Sequence, residues 1–268
     1  MTLVRRLWTS AVLIGLTFYL LLFRGAFLFS VEVFAFTGLA LFEFFTLLRY
    51  AAVPCFRLFG VVMGLVIPLV VYMELGQTRS GEVLFLILGC LFLFLIQFTH
   101  KNNAQALVGI SLTLFGVLYV SWFSSFLIKI RFLENGAFWA AYLVAVTKAG
   151  DVGAYGVGTL IGRRSLIPHI SPKKTVEGLF GGLFLSLATS MLFYPHLPVR
   201  WSLPHLAILG ILVGIVGQIG DLSESLMKRF CNAKDSGNLL PGMGGVLDAV
   251  DSILFTAPIF YFHLAVFK

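Results

Sequence analysis

Charge is scarce in this sequence. Only 12% of its 268 residues are Asp, Glu, Lys or Arg, against about 25% in an ordinary soluble domain. That shortage excludes a soluble fold with a charged shell around one core. Cysteine is scarce too. Cys55, Cys90 and Cys231 are scattered, odd in number and lack C-x-x-C spacing, so neither a disulfide framework nor a zinc site is indicated. The chain contains no soluble domain, low-complexity tract or convincing internal repeat. Its first apolar run follows Arg5 and Arg6 but lacks the small-x-small cleavage site of a signal peptide, and further runs come directly after. It reads as a retained first span.

What the sequence has is apolar length. It is 59% hydrophobic, with a mean hydropathy of +0.98. This composition predicts an all-α, polytopic integral membrane bundle of about nine transmembrane helices. The stretches are Leu7–Phe23, Gly25–Leu48, Leu58–Leu75, Val83–Phe98, Ala104–Ile128, Ala137–Ile161, Val176–Leu197, Leu206–Leu226 and Val246–Phe267. Only Arg24 separates the first two, so they form either a helical hairpin or one broken element. Lys and Arg in the connections set the orientation. Twelve (Arg5, Arg6, Arg49, Arg57, Lys101, Arg163, Arg164, Lys173, Lys174, Lys228, Arg229 and Lys234) fall on the side of the N-terminus. Six (Arg24, Arg79, Lys129, Arg131, Arg200 and Lys268) fall on the other. The bias predicts a cytoplasmic N-terminus and an outside C-terminus. The net charge of +7 is then mostly an orientation signal plus whatever binds anions, and it does not argue for a nucleic-acid partner.

Ionisable residues inside a span cost at least ~2.5–3.5 kcal/mol each and so default to functional candidates. Glu32, Glu43, Lys148, Asp151, Asp221, Glu224, Asp248 and Asp251 qualify, and only the first two lie in the first half of the chain. Residues 1–135 therefore read as scaffold, and 136–268 as the part carrying a cytoplasm-facing site. Lys148, Asp151 and Tyr155 share a helical face, as do Asp221, Glu224, Ser225 and Lys228, and again Asp248 and Asp251. The Lys148–Asp151 pair has a purely structural reading. Two helices entering from one side would bring four acids around one point, where they repel unless a cation neutralises them. Oxygen-only ligands favour Mg²⁺, which takes one or two carboxylates plus substrate phosphates. The plainer alternative pairs these acids with Lys228, Arg229 and Lys234.

Glycines and bases point to what such a cation would hold. "PGMGG" (Pro241–Gly245) runs directly into the last helix, and a helix N-terminus presents free N–H groups to phosphate. The connection "GRRSLIPHISPKKTVEG" adds Arg163, Arg164, Ser171, Lys173, Lys174 and Thr175. Its "KKT" lacks the glycines of a P-loop, so that motif fails. Positive-inside anchoring is the plain reading of this loop. Taken together, acids, glycines and bases describe a cytoplasm-facing polyphosphate site at the membrane surface, where the acceptor would be a lipid phosphate.

The segment "SESLMKRFCNAKDSGNLLPGMGGVLDAVDS" resembles the signature of the phosphatidate cytidylyltransferases, or CDP-diacylglycerol synthases. Ser223, Ser225, Lys228, Arg229, Lys234, Asp235, Pro241, Gly242, Gly244, Gly245, Asp248 and Asp251 carry the likeness. "GD" (Gly220–Asp221), "SPKKTVEG" and the Asp151–Ala154–Tyr155–Gly162–Arg163 block add to it in order. Met243 stands where the family usually has histidine, and Ala249 where it usually has arginine. The resemblance implies CTP and phosphatidate as substrates, CDP-diacylglycerol and pyrophosphate as products, and Mg²⁺, alone or with a second cation, as cofactor. It further implies Asp221 and Asp248 as metal ligands, with Asp251 and Glu224 as further ligands or neighbours. Lys173, Lys174, Lys228 and Arg229 would hold phosphates, Ser225 would hydrogen-bond one, and Lys234 and Asp235 would shape the loop. Asp151, Tyr155, Arg163, Ser171, Thr175, Gly244 and Gly245 complete the expected substrate contacts.

Three readings compete with this one: a CTP-dependent kinase of a polyprenol or other membrane alcohol, a repurposed relative inactive because of Met243 and Ala249, and a secondary transporter. The glycine pairs Gly158/Gly162, Gly178/Gly182 and Gly210/Gly214 fit close helix packing, within one chain or in a homodimer.

Overall fold

A computed structural model describes residues 3–73, 81–100 and 103–267. Arg79, Lys101 and Lys268 of the charge count, the end of the third expected span at Leu75, and the side chains of Arg5 and Arg6 lie outside the described residues. Nine α-helices are described: α1 (Leu3–Phe23), α2 (Gly25–Tyr50), α3 (Arg57–Met73), α4 (Gly81–Phe98), α5 (Ala106–Phe132), α6 (Gly136–Ile161), α7 (Val176–Leu192), α8 (Leu203–Phe230) and α9 (Val246–Phe267). Each expected apolar stretch falls on one of them. Six segments, namely α2, α4, α5, Val176–His196, α8 and α9, are long and apolar enough to cross a bilayer. The chain is an integral membrane protein built as a helical bundle.

The question left at Arg24 resolves as a hairpin. Thr17 Oγ1 of α1 donates to Glu32 Oε1 of α2 at 2.7 Å. Fifteen residues of unbroken helix would hold the two about 22 Å apart. The chain turns at Gly25, whose φ of +80° is a conformation that favours glycine.

Small residues set the contacts of the second half. A Cβ on Gly153 of α6 would lie 2.5 Å from the carbonyl oxygen of Gly181 on α7, and one on Gly178 would lie 2.8 Å from that of Ala154. On α8, Gly210 and Gly214 face Ser190 and Ser186 of α7 in the same way. The glycines noted in the sequence bring α6, α7 and α8 backbone to backbone within this one chain, the geometry that small residues permit in lipid.

The polar connection before α7 holds a short hairpin, and one isolated antiparallel bridge joins Leu240 and Gly244. Strands β1 (Ser165–Ile167) and β2 (Ser171–Thr175) pair antiparallel, with Ser165 opposite Thr175 and Ile167 opposite Ser171. Thr175 then accepts from the N–H of Gly178 at 3.1 Å and caps α7. Beneath the site, Leu41, Phe44 and Phe45 of α2 pack with Tyr119 and Val120 of α5 and with Leu247 and Leu254 of α9. That apolar cluster fixes the start of α9 against the first half of the chain.

Candidate active site

One cavity of about 1070 Å³ collects nearly every residue singled out by the sequence. Asp151 and Tyr155 reach it from α6, and Ser171, Lys173, Lys174 and Thr175 from β2. Asp221, Ser225, Lys228 and Arg229 come from α8, Lys234, Asp235 and Gly244 from the following connection, and Asp248 and Asp251 from α9. Three expected residues do not line it. Arg163 is exposed before β1, where its N–H donates to Glu177 Oε2 at 3.0 Å. Gly245 is turned onto Ser236 and Glu43. Glu224 is wholly buried behind Lys228.

Of the four acids expected around one point, Asp221, Glu224 and Asp248 are paired with lysines. Lys174 Nζ pairs with Asp221 Oδ2 at 2.8 Å. Lys228 bridges Glu224, one turn before it on α8, and Asp248 on α9. Asp251 is buried, and the charged groups acting on it are Asp221, Glu224, Lys148 and Asp151. Among the described residues, no three acids, histidines or cysteines are arranged to hold a metal ion by themselves. The donor set still fits Mg²⁺. The ammonium groups of Lys174 and Lys228 stand on Asp221 and Asp248 where a cation would sit. Mg²⁺ needs only one or two carboxylates when phosphate and water complete its shell.

Lys148 does form the pair with Asp151, at 2.8 Å, and does more besides. Its ammonium also donates to the carbonyl of Ala249 and to Ser252 Oγ, both at 2.9 Å, and Ser252 Oγ donates to Asp151 Oδ2 at 2.8 Å. The charge on α6 is thus tied across to α9.

The glycine turn differs from its expected role as a phosphate seat. Asp248 Oδ2 accepts from the N–H of Gly245 and of Ser236, each at 2.8 Å, and from Ser236 Oγ at 2.7 Å. Glu43 of α2 accepts from the N–H of Val246 at 3.0 Å and of Leu247 at 2.8 Å. The N–H groups of Met243 and Gly244 both bond the carbonyl of Leu240, at 3.1 Å. Carboxylates and the turn itself have taken these donors, because buried N–H groups must find partners and a helix N-terminus favours negative charge. Gly242 (φ +84°) and Gly244 (φ +105°) serve the turn's left-handed backbone instead.

Other expected residues prove to be holding the walls. Arg229 donates to the carbonyls of Ile170 at 3.1 Å and Ala233 at 3.3 Å, binding the β-hairpin to the end of α8. Met243 accepts from Ser10 Oγ at 3.3 Å, and Thr9 Oγ1 donates to the carbonyl of Pro241 at 2.8 Å, so α1 is tied over the glycine turn. Sequence reasoning assigned no site role to Glu43, Ser236 or Lys148. Glu43 and Lys148 carried a signal, since both are ionisable groups inside expected spans. Ser236 carried none.

The sequence model of the cytidylyltransferase family matches residues 4–267. The chain is 32% identical over 262 residues to the phosphatidate cytidylyltransferase of Bacillus subtilis (strain 168), with 97% of each chain covered. It is 33% identical over 290 residues to that of Synechocystis sp., covering 97% of this chain and 96% of the relative. Against that of Brucella suis biovar 1 it is 34% identical over 268 residues, covering 98% and 93%.

Proposed function

The chain belongs to the cytidylyltransferase family, and from that premise we propose that it is a phosphatidate cytidylyltransferase. It joins CTP to phosphatidate and releases CDP-diacylglycerol and pyrophosphate. The observation that carries the reading is one cavity in a membrane bundle lined by both charged and apolar groups. One end, by the start of α9, holds Lys174 and Lys228 with their aspartates, and Phe29 and Val33 at the other lie ten or more residues along α2 from Glu43, about 15 Å or more away. A triphosphate suits the first end and an acyl lipid the second.

An oxygen of the lipid phosphate attacks the α-phosphorus of CTP in line. The new P–O bond forms as the bond from the α-phosphorus to the bridging oxygen breaks, and pyrophosphate leaves with that electron pair. The lipid phosphate is already anionic at neutral pH, so no general base is required. Lys174 and Lys228 exchange their carboxylate partners for phosphate oxygens and hold nucleophile and triphosphate in line. Asp221 and Asp248, with Asp251 and Glu224 beside them, are the residues that would carry Mg²⁺, alone or with a second cation. Bound there, the metal supplies charge neutralisation on the leaving pyrophosphate. Ser225, 8% exposed and on the cavity wall, is placed to hydrogen-bond a phosphate oxygen. The charge bias of the connections supports a bacterial inner membrane, with the lysine-lined end facing the cytoplasm.

The deciding assay uses purified protein in lipid nanodiscs with labelled CTP, phosphatidate and Mg²⁺. Lipid-soluble label and pyrophosphate rising in equal amounts are expected. CDP released with phosphorylation of a membrane alcohol would favour the kinase reading. No CTP turnover would overturn the proposal.

A further inference from the structure

Glu32 is buried inside a membrane helix, and half of its carboxyl group has no partner. The residue is 8% exposed and lines the cavity. Its Oε1 accepts from Thr17, while its Oε2 is buried with no hydrogen-bond partner among the described residues. Eleven residues of helix separate it from Glu43, which places it about 16 Å along α2 from the start of α9. That position lies beyond the lysine-lined end, among Leu13, Ile14, Phe29 and Val33. The other polar groups there are satisfied: Thr37 bonds the carbonyl of Val33 and Ser124 that of Ser121. Stranding a polar atom at such depth is costly unless a ligand completes it.

We infer that Glu32 hydrogen-bonds the glycerol-ester region of the lipid substrate, reading an ester carbonyl just below the phosphate. The inference rests on the phosphatidate reading above. A lipid whose phosphate lies among Lys148, Lys174 and Lys228 points its acyl chains at the apolar end. Its ester groups then run from the lysines toward the apolar end, where Glu32 lines the cavity with Phe29 and Val33. The unpartnered Oε2 is the oxygen placed to carry a proton, and a protonated carboxyl group donates from that oxygen. Ester carbonyls only accept, so the two match. Glu32 is then the polar group that distinguishes ester-linked from ether-linked lipid, since a site built to hydrogen-bond a group discriminates against an analogue lacking it.

The test compares diacyl phosphatidate with its dialkyl-ether analogue, using the full chain in nanodiscs. Wild-type protein is expected to favour the diester by about five- to tenfold in kcat/KM, the range of one hydrogen bond. Glu32→Leu should bring the ratio to about one without changing the KM for CTP, and Glu32→Gln, whose amide donates, should keep most of the preference. If the leucine variant does not fold, bound phosphatidate with ¹³C-labelled ester carbonyls decides on wild-type protein. A carbonyl stretch lowered on binding is expected, and an unshifted band overturns the inference. A wild type indifferent to ester and ether, a leucine variant with unchanged preference, or an effect confined to the KM for CTP also overturns it. Absence of any CDP-lipid from wild type and diester would instead overturn the reading on which it rests.

Discussion

Glu43 of α2 caps the N-terminus of α9, accepting the main-chain N–H of Val246 at 3.0 Å and of Leu247 at 2.8 Å across 203 positions of sequence. Ser236 Oγ, which donates its one proton to Asp248 at 2.7 Å, lies 3.1 Å from Glu43 Oε2. An acid buried in the first half of the chain thereby fixes the turn that aims Asp248. With these N–H groups taken, the helix end offers none of them to a ligand.

Removing that cap should loosen the site before it alters any substrate contact. Glu43→Leu strands the buried N–H groups of Val246 and Leu247, at about 1–3 kcal/mol each. The expected result is a lower unfolding midpoint in detergent and weaker affinity for both substrates. Glu43→Gln, which still accepts through its carbonyl oxygen, should recover part of each.

Lys228 neutralises two buried acids at once. Lys228→Met leaves Glu224 and Asp248 without their cation, a loss of about 3–5 kcal/mol for breaking a buried pair from one side. Adding Glu224→Gln removes one of the stranded charges and should restore a good part of the stability. Turnover should stay lost in the double variant, because the ammonium that reaches phosphate is gone. Unfolding and activity measured side by side separate the two roles.

Asp221 stands on the cavity side of its ion pair, and its side chain is 36% exposed. Asp221→Asn should therefore fold normally. Its kcat should fall by at least about 10²-fold, as for other groups that stabilise developing charge. The KM for phosphatidate should change little, and the Mg²⁺ concentration needed for half-maximal rate should rise. An Asp221→Asn protein with wild-type turnover would remove this residue from the mechanism.

Two glycines of α6 three residues apart make a contrasting pair. Gly153→Ala drives a methyl group onto the carbonyl of Gly181, 2.5 Å from the new Cβ, and must push α7 away. Gly156→Ala meets nothing within 4 Å and exchanges a weak helix former for a strong one. The first variant should unfold at lower temperature or fail to accumulate. The second should match or slightly exceed wild type, by up to about 1 kcal/mol.

Hydropathy and motif spacing are local properties, and what depends on them was legible. The nine helical stretches, the grouping of acids on α8 and α9, and the family likeness between Asp151 and Asp251 all follow from residues a few positions apart. Of the partners of those acids, Lys228 was among those the sequence offered and Lys174 was not. Lys174 reaches Asp221 from a strand 47 positions earlier, and nothing in "SPKKT" says which carboxylate it will meet. The hairpin that carries Lys174 was hidden for a similar reason. Its strands are three and five residues long, too short for alternation to register.

Composition alone therefore made this an apolar bundle that must lodge its few charges indoors, because lipid offers them no water. Which charge meets which was decided by packing. Glycine contacts between α6, α7 and α8 and the apolar cluster under α9 bring distant backbones to within a few ångströms. Only at that range do Glu43, Lys228 and Glu32 acquire the partners, or the lack of one, that give each its role.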